Sequence, residues 1–292
     1  MEFVFFGGEP LAVPVLEKLK EANLVPTLIV CNPDRPSGRG QQLTPPPVKV
    51  WAEAQGIEVF QPTTYKDENE SAKQKLTERN WDMFIVVAYN FMLPEWLIAI
   101  PEKGVINVHP SLLPKLRGAS PIRTAIIENL PNEVGVTIML MDAQMDHGAI
   151  LEQEPLLLDK TNWPLEGNKL DKILADMGGE LLADTMMAWQ HDEILPQEQD
   201  HDIATYCKKL KKEDSELAIN PLKPPAGKVA TKILHTIYAF AGIGDTYFVH
   251  NEKRVKIKAA RLTDGGTLQI QRVIPEGKKE IDFKDYLQSI KS

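Results

Sequence analysis

Asp82-Met83-Phe84-Ile85-Val86-Val87-Ala88 (DMFIVVA) is a continuous apolar run with a single charge at its head. A run of this length without polar alternation fits a strand buried on both faces. Val105–Val108 and Val134–Met141 (VGVTIMLM) read the same way downstream, as do Glu2–Phe6 and Thr27–Cys31 upstream. Helical patterns lie between them, over Leu11–Ala22, Val48–Ala54 and Glu70–Arg79, with Glu58–Phe60 extended. Strands alternating with helices predict an α/β fold, a Rossmann-like, mostly parallel sheet with helices on both faces. Ligands of such sheets bind beyond the carboxyl ends of the strands. That rule singles out Gly7, Asn32, Tyr89 and His109.

The pattern changes in the last third. Leu165–Trp189 reads as one long helix and Gln190–Tyr206 as a polar, acidic linker. A helix over Val229–Phe240 is followed by short strands at Thr246–His250, Arg254–Arg261 and Thr267–Ile274, separated by turn signals. Short strands this closely spaced predict a small C-terminal β-barrel. The expected division is a catalytic domain over 1–189, a linker over 190–207 and a barrel domain over 208–292.

Composition sets the outer bounds. The 292 residues, 43% hydrophobic and 25% charged, are ordinary for a folded chain of about two domains. No apolar run is long enough to span a membrane, and the amino terminus lacks the pattern of a signal peptide. Two distant cysteines, Cys31 and Cys207, make no disulfide framework and suit a reducing, cytoplasmic setting. Six histidines include no pair with metal-ligand spacing, so no metal is expected. Gly7-Gly8-Glu9-Pro10 lacks the third glycine of a dinucleotide loop, and neither a phosphate-binding Walker loop nor a G-x-S-x-G elbow is present.

Charge is unevenly spread. The net charge is −8, yet residues 201–292 hold 17 Lys and Arg against 11 Asp and Glu. The first 200 residues therefore carry about −14 and the remainder +6, an acidic body with a basic end suited to a polyanion. Lys208, Lys209, Lys211 and Lys212 form the densest cluster, which a merely solvated helix face would also explain. Arg254-Val255-Lys256-Ile257-Lys258 reads as a strand with a basic outer and an apolar inner face.

The chemistry concentrates in Asn107-Val108-His109-Pro110-Ser111-Leu112-Leu113-Pro114. Strand alternation puts Asn107 and His109 on one face. An amide and an imidazole aimed at one point suit a developing oxyanion. Met141-Asp142-Ala143-Gln144-Met145-Asp146-His147-Gly148 adds carboxylates after another strand, a plausible acid–base partner set. A histidine at a strand end can equally be a structural hydrogen-bonder.

These residues resemble the folate-dependent formyltransferases, whose pattern is N-x-H-x-S-x-L-P-x-x-R-G with a later aspartate. Phe5–Leu16, Asn32–Gly40 with Thr44–Lys49, Val86–Pro94 and the basic tail are similar to the branch that formylates methionyl initiator tRNA. The resemblance implies that Asn107, His109 and Asp146 are catalytic. It implies that Tyr89, Asn90, Phe91, Met92 and Leu93 line the pterin pocket and that Ser111, Leu112, Leu113 and Pro114 bind the folate. It implies that Arg39 enters the acceptor-stem groove and that the tail, with its four-lysine cluster, forms an OB-like tRNA-binding barrel. The implied donor is 10-formyltetrahydrofolate, the implied acceptor methionyl initiator tRNA, and the implied state a cytoplasmic monomer. Against the branch's usual pattern, Gly8-Glu9-Pro10-Leu11 replace T-P-x-F and Asn90 stands where glycine is usual. Gln41 and Gln42 replace lysines, and His147 replaces a small residue. The rival readings are formyl transfer to an amino sugar or other small amine, a formate-releasing hydrolase, and a silent RNA-binding relative.

Overall fold

The computed structural model describes residues 1–37, 40–65, 70–159 and 162–290, which divide into two compact units. The first comprises Met1–Arg117, Val134–Leu156 and Asp171–Tyr206; the second comprises Gly118–Glu133, Leu157–Leu170 and Cys207–Ser292.

The first unit begins with β1 (Phe3–Gly7), all five residues buried, and α1 (Ala12–Glu21). Helix α1 buries Ala12, Val15, Leu16 and Leu19, the i, i+3, i+4, i+7 stripe of an amphipathic helix. Strand β2 (Leu28–Val30) follows, then the hairpin β3 (Arg35–Ser37) and β4 (Gln42–Thr44). Helix α2 (Pro47–Gln55) starts on Pro47, where a missing N–H costs nothing, and stops at Gly56 in the left-handed region at φ +69°. Strand β5 (Glu58–Phe60), α3 (Glu70–Thr77), β6 (Met83–Val87), α4 (Glu95–Ile98) and β7 (Val105–His109) complete the first half. After the short β8 (Arg117–Gly118) the chain passes through α5 (Pro121–Glu128), which belongs to the second unit, and returns as β9 (Gly135–Leu140), β10 (Ile150–Pro155) and the long α6 (Gly167–Gln190), most of which lies in the first unit.

The central sheet has the order β10-β9-β7-β6-β1-β2-β5. Strands β7, β6, β1, β2 and β5 are parallel, whereas β9 pairs antiparallel with both β7 and β10. The mainly parallel α/β sheet is thus as its sequence pattern predicts, with an antiparallel edge. One face buries Val4, Phe6, Val30, Phe84, Val86 and Val105 against Leu76, Trp81 and Leu97. The order reverses between β1 and β6, so a crevice opens where the carboxyl ends of these neighbours diverge.

The second unit contains α5 and resumes at Cys207, the last residue of β11 (Tyr206–Cys207); α7 (Gly227–Phe240) and strands β12 (Tyr247–His250), β13 (Lys253–Leu262), β14 (Leu268–Pro275) and β15 (Ile281–Asp282) follow, closed by α8 (Phe283–Ser289). Strands β12 to β15 form an antiparallel meander in sequence order. Strand β13 alternates as its sequence predicts: Val255 and Ile257 are buried against Ala230, Ile233 and Leu234 of α7, and the intervening lysines are exposed. Irregularities between Ile257 and Ala260 bend it. Among the described residues the outer strands β12 and β15 are not paired with each other.

Candidate active site

Two loops meet at the crevice between β1 and β6. The amides of Gly8 and Glu9 both donate to the Ala88 carbonyl, at 3.2 Å each, and Ala88 itself has φ +46°. Across the same gap the Asn90 amide donates to the Glu9 carboxylate. Beside it lies an aromatic cluster in which Tyr89 touches Phe6 and Phe91 at ring separations of 5.6 Å and shares a 2.9 Å hydroxyl hydrogen bond with Tyr65. Burial pushes both phenols well above the usual tyrosine range, so they stay protonated. Leu93 is buried and Met92 exposed. Asn32, just beyond β2, is buried, and its amide nitrogen has no hydrogen-bond partner among the described residues. That donor is unspent at a position where such sheets bind ligands.

Strand β7 delivers Asn107 and His109 to one face. The Asn107 side chain is part-exposed and hydrogen-bonds to none of the described residues. His109 is 4% exposed, and its Nε2 lies 3.0 Å from the Leu116 carbonyl. A carbonyl only accepts, so Nε2 carries the hydrogen and the neutral ring presents Nδ1 as a lone pair. That nitrogen faces Asp146, with Oδ1 at 3.7 Å, too long for a direct hydrogen bond; the two become an ion pair only when Nδ1 takes up a proton.

Asp146 arrives by an indirect route. Because β9 is antiparallel, its last residue pairs with Ile106, three residues short of His109. The β9–β10 connection must therefore climb about 10 Å along β7. It does so as a turned loop: Asp142 accepts from the Gln144 amide at 2.8 Å, and Asp146 sits in the left-handed region at φ +51°. His147 is engaged by Asp142, Nδ1 to Oδ2 2.6 Å, and its ring stacks on His201 at 4.0 Å.

In the Ser111–Pro114 stretch, Ser111 and Leu113 are buried by the unit's own packing. The Thr137 hydroxyl donates to the Ser111 carbonyl at 2.6 Å and accepts from the Leu113 amide at 3.1 Å and from Gln153 at 2.8 Å. Side-chain surface for a ligand is left to Leu112 and Pro114, both half-buried.

The residues expected to meet RNA are scattered. Arg39 lies outside the described residues. The loop that carries it is clasped at its base: Lys49 pairs with Asp34 at 2.9 Å, and Gln61 donates to Asp34 at 2.8 Å. Hydrogen bonds from Gln61 and then Lys49 hold the Asp34 carboxyl below its usual range. Burial drives the neighbouring Cys31 thiol up to about 12, which makes it a poor nucleophile. Lys208, Lys209, Lys211 and Lys212 are exposed, on an irregular segment that ends in a single 3₁₀ turn at Lys212–Ser215, so no regular helix face carries them. Lys256 and Lys258, in contrast, are held by Asp245 at 3.0 and 2.6 Å. Among the described residues no group of three or more His, Cys, Asp or Glu side chains could hold a metal ion, and no helix is long and apolar enough to cross a membrane.

Sequence reasoning overlooked Tyr65, Thr137 and Gln199. The first two carried a weak signal, as a lone hydroxyl beside or within an apolar run. Gln199 carried none.

Asn107 and His109 thus leave β7 on one face, and Asp146 stands opposite His109. Residues 1–182 match the family described as formyl transferase, and the chain belongs to that family. Within it, the chain falls among the methionyl-tRNA formyltransferases. The protein of that name from Acidobacterium capsulatum is 33% identical across 99% of this chain and 96% of its own length. Another, from Synechococcus sp., is 44% identical over 74% of this chain; that match spans 66% of the relative, just under two thirds of its length. The fold is also that of an N-formyltransferase from Helicobacter canadensis, crystallised with folinic acid and dTDP-3-aminofucose. Its TM-score is 0.61 at 17% identity, covering 96% of this chain and 100% of that one.

Proposed function

We propose that this chain transfers a formyl group from 10-formyltetrahydrofolate to the amino group of methionine esterified to initiator tRNA. The observation that carries the reading is the Asn107–His109–Asp146 grouping, with His109 Nε2 committed to the Leu116 carbonyl and Nδ1 turned toward Asp146. Membership of the methionyl-tRNA formyltransferases supports tRNA as the acceptor, and the folinic acid bound by the Helicobacter protein supports a folate donor.

The chemistry follows from that tautomer. The methionyl amine attacks the formyl carbon, a new N–C bond forms, and the formyl oxygen becomes an oxyanion. The Asn107 amide donates to it, an interaction commonly worth about 3–4 kcal/mol. His109 Nδ1 takes the amine's surplus proton, and the resulting imidazolium is stabilised by Asp146 and donates from Nδ1 to the oxyanion. Such proton transfer is typically worth roughly 10²–10⁴ in rate. On collapse the C–N10 bond breaks and the proton passes to N10, releasing tetrahydrofolate and formylmethionyl-tRNA. Tyr89, Phe91, Leu112 and Pro114 are the side chains assigned to the pterin and folate, with Asn90, Met92, Leu93, Ser111 and Leu113 framing them. The exposed Lys208, Lys209, Lys211 and Lys212, with Arg39, are assigned to the tRNA backbone. In this reading residues 208–292 act as an OB-like barrel, and the enzyme is a cytoplasmic monomer.

The test is formyl transfer from 10-formyltetrahydrofolate to methionyl initiator tRNA, methionyl elongator tRNA and free methionine in parallel. Transfer confined to the initiator is expected, with kcat reduced at least about 10²-fold in each of Asn107→Ala, His109→Ala and Asp146→Ala. Near-normal kcat in all three, or no transfer to any tRNA, would overturn the assignment and favour a small-amine acceptor.

A further inference from the structure

We infer that Gln199, braced by the buried guanidinium of Arg117, is a positioning residue that holds Asp146 opposite His109; the inference rests on the catalytic reading of that pair. Arg117 is 1% exposed, an expensive place for a charge unless its donors are taken up. Its Nε and Nη2 donate to Gln199 Oε1 at 3.1 and 2.6 Å, and Nη2 also reaches His201 Nδ1 at 2.8 Å. Two guanidinium donors on one amide end settle which way that amide points: Oε1 faces Arg117, so Nε2 must face the other way. There it donates to the carbonyls of Asp146 at 3.0 Å and Gly148 at 2.7 Å.

Those carbonyls bracket His147 in the loop that carries the carboxylate. A left-handed backbone is sparsely populated by residues other than glycine, and neighbouring hydrogen bonds hold it in place. At Asp146 one enforcing neighbour is Gln199, itself buried. The same segment fixes the other half of the pair. Leu116, also left-handed at φ +59°, offers its carbonyl to His109 Nε2. The Thr205 hydroxyl accepts from the Leu116 amide at 2.9 Å, and the Thr205 carbonyl accepts from the Arg117 amide, also at 2.9 Å. Residues 199–205 therefore set both ends of the His109–Asp146 gap while reaching no reacting atom themselves.

The experiment is steady-state formylation of methionyl initiator tRNA by Gln199→Glu, Gln199→Met and Asp146→Asn, and by the Gln199→Glu/Asp146→Asn double variant. Melting temperatures are recorded for each. Gln199→Glu keeps the acceptor for Arg117 and removes both donors to the loop. It is expected to melt near the wild type while kcat falls about 10–100-fold, as when outer partners of site groups are removed, with both KM values within about three-fold. Adding it to Asp146→Asn should cost nothing further, because the two act as one unit. If Gln199→Glu fails to fold, Gln199→Met, apolar and of similar length, carries the same comparison. A kcat within about two-fold of wild type in the folded Gln199 variant, with Asp146→Asn inactive, overturns the clamp and leaves the catalytic reading standing. Full activity in Asp146→Asn overturns that reading, and the clamp with it.

Discussion

Gly148 closes the neck of the loop that lifts Asp146 to His109, and replacing it with alanine is the sharpest test of that geometry. A Cβ at this position would lie 2.1 Å from the Leu140 carbonyl oxygen, 3.0 Å from its carbon and 3.4 Å from the Asp142 nitrogen. All three are backbone atoms, so no rotamer change relieves the clash. The neck is also tied, since the Leu140 amide donates to Ala149 at 2.8 Å. Carbon–oxygen contacts settle near 3.3–3.6 Å, so the two arms must part by about 1 Å. Overpacking of this kind costs about 1–3 kcal/mol, and backbone displacement puts the value near the top of that range. At roughly 2–4 °C per kcal/mol, the first unit should lose about 6–12 °C in Tm. Activity should fall further than stability explains, because the Asp146 and Gly148 carbonyls are the two acceptors of Gln199. A misplacement of about 1 Å is worth up to roughly 10²-fold in rate. The assays are thermal unfolding and kcat for formylation, with Gly244→Ala as control, since a Cβ there meets nothing within 4 Å. A Gly148→Ala protein with Tm within about 1 °C of wild type would refute the argument.

The salt dependence of tRNA binding should separate the exposed lysines of residues 208–212 from those paired with Asp245. Removing Lys208, Lys209, Lys211 or Lys212 should each flatten the slope of log K against log salt by about 0.7–0.9, whereas Lys256→Ala, whose ammonium already serves Asp245, should change it little; equal slopes for both sets would contradict this. Burial of His235 on α7 disfavours its charged form and lowers its pKa, so the folded second unit binds fewer protons than the unfolded chain. Its contribution is then fully present above the ordinary histidine value of about 6.5 and is lost as pH falls below it. Tm of the second unit should drop between pH 7 and pH 5, less steeply in His235→Leu; parallel curves would remove His235 from the account. Tyr89→Phe should leave the Tyr65 hydroxyl without its 2.9 Å partner and cost about 1–3 kcal/mol, read by denaturant unfolding; an unchanged midpoint would mean that water replaces the bond.

What sequence could reveal here was set by periodicity, and periodicity carries burial without direction. DMFIVVA became β6 because a strand buried on both faces needs every residue apolar, and the apolar Val105, Ile106 and Val108 placed β7 beside it. The same logic found the strand before Asp146 and could not say that it runs backwards, so the climb of the 141–148 loop was invisible. Gln199 was hidden for a related reason. Residues 190–207 are polar enough to read as linker, yet Gln197 bridges to Ile150 and Gln199 is buried, its polarity spent on Arg117 and two carbonyls. Polar composition signals solvent only where no buried charge is waiting for it. Polar residues at the crevice follow this rule too. The Asn90 amide donates to the Glu9 carboxylate, 81 residues away in the chain, across the crevice between β1 and β6. This bond ties the β1 and β6 loops together beside the two amides that Gly8 and Glu9 donate to Ala88, a connection between distant polar residues that no periodicity could show.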